Sequence, residues 1–92
     1  MINSFKDKEL EKFFLGRQSR VPRSIFNSLR RRLDYMLQAQ SLDDLRALPG
    51  NRLEKLRGPR DGQHSIRVND QWRLCFTWSV NGIDDLELID YH

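Results

Sequence analysis

Trp72-Arg73-Leu74-Cys75-Phe76-Thr77-Trp78 is the stretch whose reading decides the fold. Every second residue is large and apolar, and the residues between are charged, small or polar. Successive side chains on a β-strand point to opposite faces. The run therefore predicts a strand with one face (Trp72, Leu74, Phe76, Trp78) for the core and an opposite, polar face carrying Arg73. Upstream, His64, Ile66 and Val68 alternate against Gln63, Ser65 and Arg67, which predicts a second strand. Asn69-Asp70 supplies a tight turn between the two without the usual glycine. Downstream, Asn81-Gly82 is the best hairpin turn in the chain, and a last strand is expected from Ile83 or Leu86 toward Tyr91. A short strand flanked by Leu53 and Leu56, then a Gly58–Gly62 loop, precedes the meander.

The first half reads differently. Leu10, Phe13 and Phe14 recur at helical spacing within Lys6–Leu15, and Gly16 is a plausible stop. Pro22 suits a first helical turn. Beyond it Ile25, Phe26, Leu29, Leu33, Met36 and Leu37 repeat with a period of about 3.6 residues, predicting a helix to about Ala39. Within it, Arg30-Arg31-Arg32 are expected to fan round the exposed side, since neighbours on a helix diverge by about 100°. Ser41 and Asp44 resemble a capping box, so Leu42–Leu45 is expected to make one helical turn. Met1–Phe5 reads as an edge strand. The expected fold is α+β, in the order β-α-α-β-β-β-β, with two N-terminal helices on one face of a mostly antiparallel sheet.

The chain has 92 residues, enough for one domain spanning 1–92. Hydrophobic residues at 38% and charged residues at 32% place it among globular rather than disordered chains. No apolar run approaches a membrane span, and Met1–Lys6 lacks the layout of a signal peptide, so a cytoplasmic location is expected. The single cysteine, Cys75, excludes an internal disulfide and reads as a small buried strand residue. The net charge is +3, and arginine dominates the 16 basic residues. Arginine binds phosphates through a planar fork, so the bias points to nucleic acid or an acidic protein partner.

Phosphate-loop, zinc and dinucleotide motifs are absent. Two histidines are too few for a histidine-rich metal site, and no metal or cofactor is expected. His64 alternates with Ile66 and Val68 and reads as a packed residue. The chemistry-bearing groups that remain are Arg57, Arg60, Arg67, Gln71, Arg73 and the final trio Asp90, Tyr91 and His92. Arginines that hold a phosphate, with an imidazole for proton transfer, suit RNA cleavage. RNA carries its own nucleophile in the 2′-hydroxyl, so the protein need only move protons and stabilise charge.

Leu53–Gly58, Gly62–Phe76 and Asp90-Tyr91-His92 together resemble HigB-type toxins of the RelE/ParE superfamily of bacterial toxin–antitoxin systems. The resemblance spans the whole chain in length and element order. It implies a RelE-like fold and a ribosome-dependent endonuclease that cuts mRNA. It also implies a cognate HigA-like antitoxin with a helix-turn-helix domain, through which DNA is contacted only indirectly. Carried over by position, it implies Arg57, Gln71, Asp90, Tyr91 and His92 as cleavage residues. His92 would transfer the proton, Asp90 orient it, and Arg60, Arg67 and Arg73 hold the phosphate. Glu54 departs from the pattern, since it stands where some relatives have histidine. Strand alternation sets Tyr91 on the opposite face from Asp90 and His92. The competing expectation within the superfamily is a ParE-like inhibitor of DNA gyrase that cleaves nothing, and architecture does not separate the two.

Overall fold

The computed structural model describes residues 1–91; the expectation for His92 falls outside the described residues. Three helices precede a four-stranded sheet: α1 (Lys8–Phe14), α2 (Phe26–Gln38) and α3 (Leu42–Arg46), then β1 (Glu54–Lys55), β2 (His64–Arg67), β3 (Trp72–Ser79) and β4 (Gly82–Asp90). The strands lie side by side in chain order, every pair antiparallel. Leu10, Phe13, Leu29, Leu33 and Met36 from the helices meet Ile66, Leu74, Phe76, Ile83 and Leu86 from the sheet in one core. Trp72 and Trp78 pack at its margins. The expected α+β architecture is observed, with helices on the Trp72/Leu74/Phe76/Trp78 face.

Three details differ from the sequence reading. Met1–Phe5 is not a continuous strand; Ile2 and Phe5 make isolated parallel bridges to Ile83 and Leu86 of β4. Pro22 offers no side-chain cap, and the chain enters α2 through a 3-10 turn over Arg23–Ile25. The arginine triplet does not simply fan into solvent. Arg32 donates from Nε to the carbonyl of Arg67 at 2.9 Å and from a terminal nitrogen to that of Gly50 at 3.2 Å. Arg30 lies 4.8 Å from the centre of the Phe13 ring. Periodicity assigns a face, but a side chain this long reaches well beyond it.

The N-terminal segment is fastened along the outer side of β4. Ile83 N–H donates to the Met1 carbonyl at 2.9 Å, and Asn3 N–H to that of Ile83 at 2.7 Å. Leu86 and Ser4, then Lys6 and Leu86, continue the pattern at 3.1 and 3.0 Å. Asp7 then serves two elements. One carboxylate oxygen caps α1 by accepting from Glu9 and Leu10 N–H, and the other accepts from Leu88 N–H at 3.2 Å. Between Cys75 and Thr77 the register with β4 shifts, and Asp85 takes a positive φ of 54°. This bulge keeps both Ile83 and Leu86 on the core face.

Asn69 explains how the β2–β3 turn closes without glycine. Its side-chain oxygen accepts from Gln71 and Trp72 N–H at 2.9 and 2.8 Å, an Asx turn. His64 is packed, as its alternation predicted, and stacks on Phe76 with ring centres 6.1 Å apart. Burial, reinforced by Lys55 and Arg46, depresses its pKa from the usual 6.5. The unfolded chain therefore takes up this proton first as pH falls. The stability His64 contributes is complete above 6.5 and is lost as pH drops through its lower, folded value. Melting temperature should fall between neutral pH and mildly acidic buffer, and His64→Phe should flatten that fall.

Candidate active site

The sheet face turned away from the helices carries the polar groups. Register places Glu54 opposite Ser65 and Ser65 opposite Cys75, with Cys75 opposite Glu87, so a polar row crosses all four strands. Its centre is closed to solvent: Ser65, Cys75, Arg73 and Glu87 are all buried. Unpaired charge would be costly there, and both charged members are paired. Arg73 donates from Nε to the Ser65 hydroxyl at 2.8 Å and from a terminal nitrogen to the Arg52 carbonyl at 2.7 Å. Glu54 stands 3.9 Å from the same nitrogen. Glu87 receives Arg60 at 2.8 Å and Lys6 at 3.5 Å.

Arg60 sits in the β1–β2 connection yet reaches Glu87 of β4. A second bond to the Gln63 side chain at 3.1 Å fixes it, and Glu87 raises its pKa further. One third of the Arg60 side chain remains exposed, against 11% for Arg73. Arg60 is thus open to a ligand, whereas Arg73 is committed to the protein.

Tyr91 completes this face. Its N–H donates to the Gln71 carbonyl at 2.5 Å, which carries the ladder one residue past β4. Its phenol lies near the Cys75 thiol and feels the charges of Arg60 and Arg73. Partial burial and the thiol raise its pKa above 10.0, while the two arginines pull it down. The phenol is therefore protonated at neutral pH and acts as a hydrogen-bond donor. Burial likewise raises the pKa of the Cys75 thiol and keeps it neutral.

Asp90 pairs with Trp72, which turns it to the other face. There its carboxylate accepts from the Gln71 amide at 3.1 Å. The expected split between Asp90 and Tyr91 is observed: the end of β4 presents an acid on one side and a phenol on the other. Arg67 is bound to Asp70 in the neighbouring turn. Arg57 is exposed, immediately before the Gly58–Arg60 turn. The expected residues thus fall into two neighbouring groups, Arg60/Arg73/Tyr91 and Gln71/Asp90, with Arg57 and Arg67 at the margins.

Lys6, Ser65 and Glu87 were not anticipated. Glu87 was detectable, since it lies between Leu86 and Leu88 and alternation alone sets it on the polar face. Lys6 was not, because its place depends on the segment docked against β4. Among the described residues, no group of three or more His, Cys, Asp or Glu is placed to hold a metal ion. No described helix is long and apolar enough to cross a membrane.

A short helical layer over a small antiparallel sheet, with arginines and a terminal phenol on its open face, is the RelE-like toxin fold. Two solved assemblies share it: the YoeB–YefM complex from Staphylococcus aureus (TM-score 0.60, 21% identity) and the corresponding heterotetramer (TM-score 0.62, 21% identity). Each comparison covers 100% of this chain and 98% of the other. The chain belongs to the HigB-like toxin family, the RelE-like toxins of type II toxin–antitoxin systems, whose family model matches residues 3–92. It is 46% identical over 94 residues to Toxin HigB-1 of Vibrio cholerae serotype O1, covering 100% of this chain and 98% of the relative. It is 33% identical over 93 residues to Endoribonuclease HigB of Proteus vulgaris, covering 100% of both. As the toxin of such a system it has an antitoxin as partner.

Proposed function

We propose that this toxin is an endoribonuclease that cuts mRNA on the ribosome and is held silent by a HigA-like, DNA-binding antitoxin in the cytoplasm. The observation that carries the reading is the position of Tyr91, one residue past β4 on the polar face that also carries the partly exposed Arg60. The kinship with a protein named as an endoribonuclease supports it. In the proposed reaction the 2′-hydroxyl of the RNA loses its proton as its oxygen attacks the adjacent phosphorus. The bond to the 5′-oxygen breaks, and that oxygen takes up a proton. Cyclic phosphate and 5′-hydroxyl ends result, and atoms and charge balance without a further reactant.

His92 is the proton-transfer group in this scheme, oriented by Asp90. Tyr91 donates to a phosphate oxygen or stacks on a base. Arg60 and Arg57 neutralise the growing charge. Gln71 holds Asp90 through its amide, which makes it a positioning residue. Arg73 supports the face from beneath through Ser65 and Arg52, and Arg67 lies at the rim. Because Asp90 and Tyr91 face opposite ways, the RNA backbone would wrap the end of the sheet rather than lie across one face. The test is primer-extension mapping of mRNA in cells expressing the intact chain or one lacking His92. New ends with the intact chain, and their loss without His92, are expected. Growth arrest with no new ends would sink the nuclease reading and favour an inhibitor such as the ParE-like toxins.

A further inference from the structure

A second cationic site lies on the helix side of the sheet. The connection from α1 to α2 and the start of α2 enclose a cleft of about 450 Å³ that receives Arg17, Arg20, Arg23 and Arg30. No acidic residue lines it. Glu9 is beside Arg20, but its carboxylate is already taken by Lys12 at 3.0 Å and by the Arg20 N–H at 2.8 Å. These contacts also hold its pKa below 4.5, so it stays ionised and in use. Four like charges around one cleft repel each other, and a cleft of one sign concentrates the field on an incoming anion.

The backbone that presents these arginines is pinned. The Arg20 N–H is tied to Glu9, Arg17 N–H donates to the Lys12 carbonyl at 2.8 Å, and the Ser19 hydroxyl accepts from Val21 N–H at 3.4 Å. Arg30 lies against the Phe13 ring and is thereby held in place. The apolar floor is small: Phe13 is 3% exposed and Val21 7%, and only the half-buried Phe26 adds to it. An acidic protein segment generally anchors through an apolar side chain, and this cleft offers little to bury one. What it offers is guanidinium groups, which match phosphate oxygens through paired N–H donors.

We propose that this cleft is a second RNA-backbone site, in which Arg17, Arg20, Arg23 and Arg30 hold phosphates on the side of the sheet opposite Tyr91. The toxin would then grip RNA beyond the segment that meets Tyr91. The inference does not draw on cleavage. The probe is a fluorescein-labelled RNA hairpin carrying 2′-O-methyl groups, which has no 2′-hydroxyl nucleophile and stays intact. Its Kd is measured by anisotropy across a salt series for the full chain.

Arg17→Ala/Arg20→Ala should weaken binding about tenfold or more and lower the slope of log K against log salt by roughly one per arginine removed. Arg17→Lys/Arg20→Lys should keep the slope. Both positions are exposed, so an unchanged melting temperature should verify folding. An unaltered slope in the double alanine variant would overturn the proposal. So would displacement of the hairpin by poly-glutamate at equal charge, which would mark an acidic protein surface instead. Loss of slope in a chain that makes no new mRNA ends in cells would support this site while removing the nuclease reading.

Discussion

Replacing Tyr91 with alanine should lower mRNA cleavage by about 100-fold or more, the usual scale for removing a positioned hydrogen-bond donor to the reacting charge, with little change in stability. The two effects separate because Tyr91 is 36% exposed and lies one residue past β4. The measurement is cleavage of a ribosome-bound message in a purified translation system, alongside a urea melt. Tyr91→Phe divides the role further. If the hydroxyl donates to phosphate, the phenylalanine variant should be as poor as alanine. If the ring stacks on a base, phenylalanine should retain most of the rate. Activity that survives both substitutions would remove Tyr91 from the site and shift the chemistry to the Gln71–Asp90 side.

Arg73→Met should do the reverse and cost mainly stability, about 2–4 kcal/mol. The guanidinium is 11% exposed and satisfies both the Ser65 hydroxyl and the Arg52 carbonyl. Methionine fills much of the volume but leaves both acceptors stranded. A domain of this size has roughly 5–15 kcal/mol in hand, so the denaturation midpoint should move visibly. Arg60→Met is the control. Its side chain is one third exposed, and Glu87 keeps Lys6 as a partner at 3.5 Å. The loss there should be about 1 kcal/mol, the scale of a partly solvated ion pair, and its main effect should fall on cleavage. Equal midpoints for the two variants would contradict the division into a supporting and a ligand-facing arginine.

That division marks where the sequence stops being legible. The alternation of Trp72, Leu74, Phe76 and Trp78 determined the core face, and Asn81-Gly82 located the last hairpin. Both are local signals; the core face appears as read, and the hairpin appears one residue earlier, with Val80 and Asn81 in the turn and Gly82 already paired with Ser79. Alternation likewise put Arg73 and Cys75 on one face, and Tyr91 opposite Asp90. It did not indicate that Arg73 would be sealed and Arg60 left open. That outcome depends on the Gly58–Arg60 turn being placed so that Arg60 meets Glu87 of β4, and periodicity carries no such long-range term. Arg32 escaped for a related reason, since its helical position was right and its reach to the Arg67 carbonyl was not visible. The cleft of arginines is intermediate. Arg17, Arg20 and Arg23 are plain in the sequence, but only the pinned connection gathers them around Arg30.

The segment docked along β4 also bears on how this protein can be captured. Sheets usually recruit strangers through the unsatisfied backbone of an outermost strand. Here Ile83, Leu86 and Leu88 spend those groups on Met1, Asn3, Ser4, Lys6 and Asp7. The other flank is β1, only two residues long. Neither border leaves a long free ladder for another chain to extend. Self-association by strand addition is therefore disfavoured even when the toxin accumulates. A partner that silences it would do better to read side chains than to donate a strand.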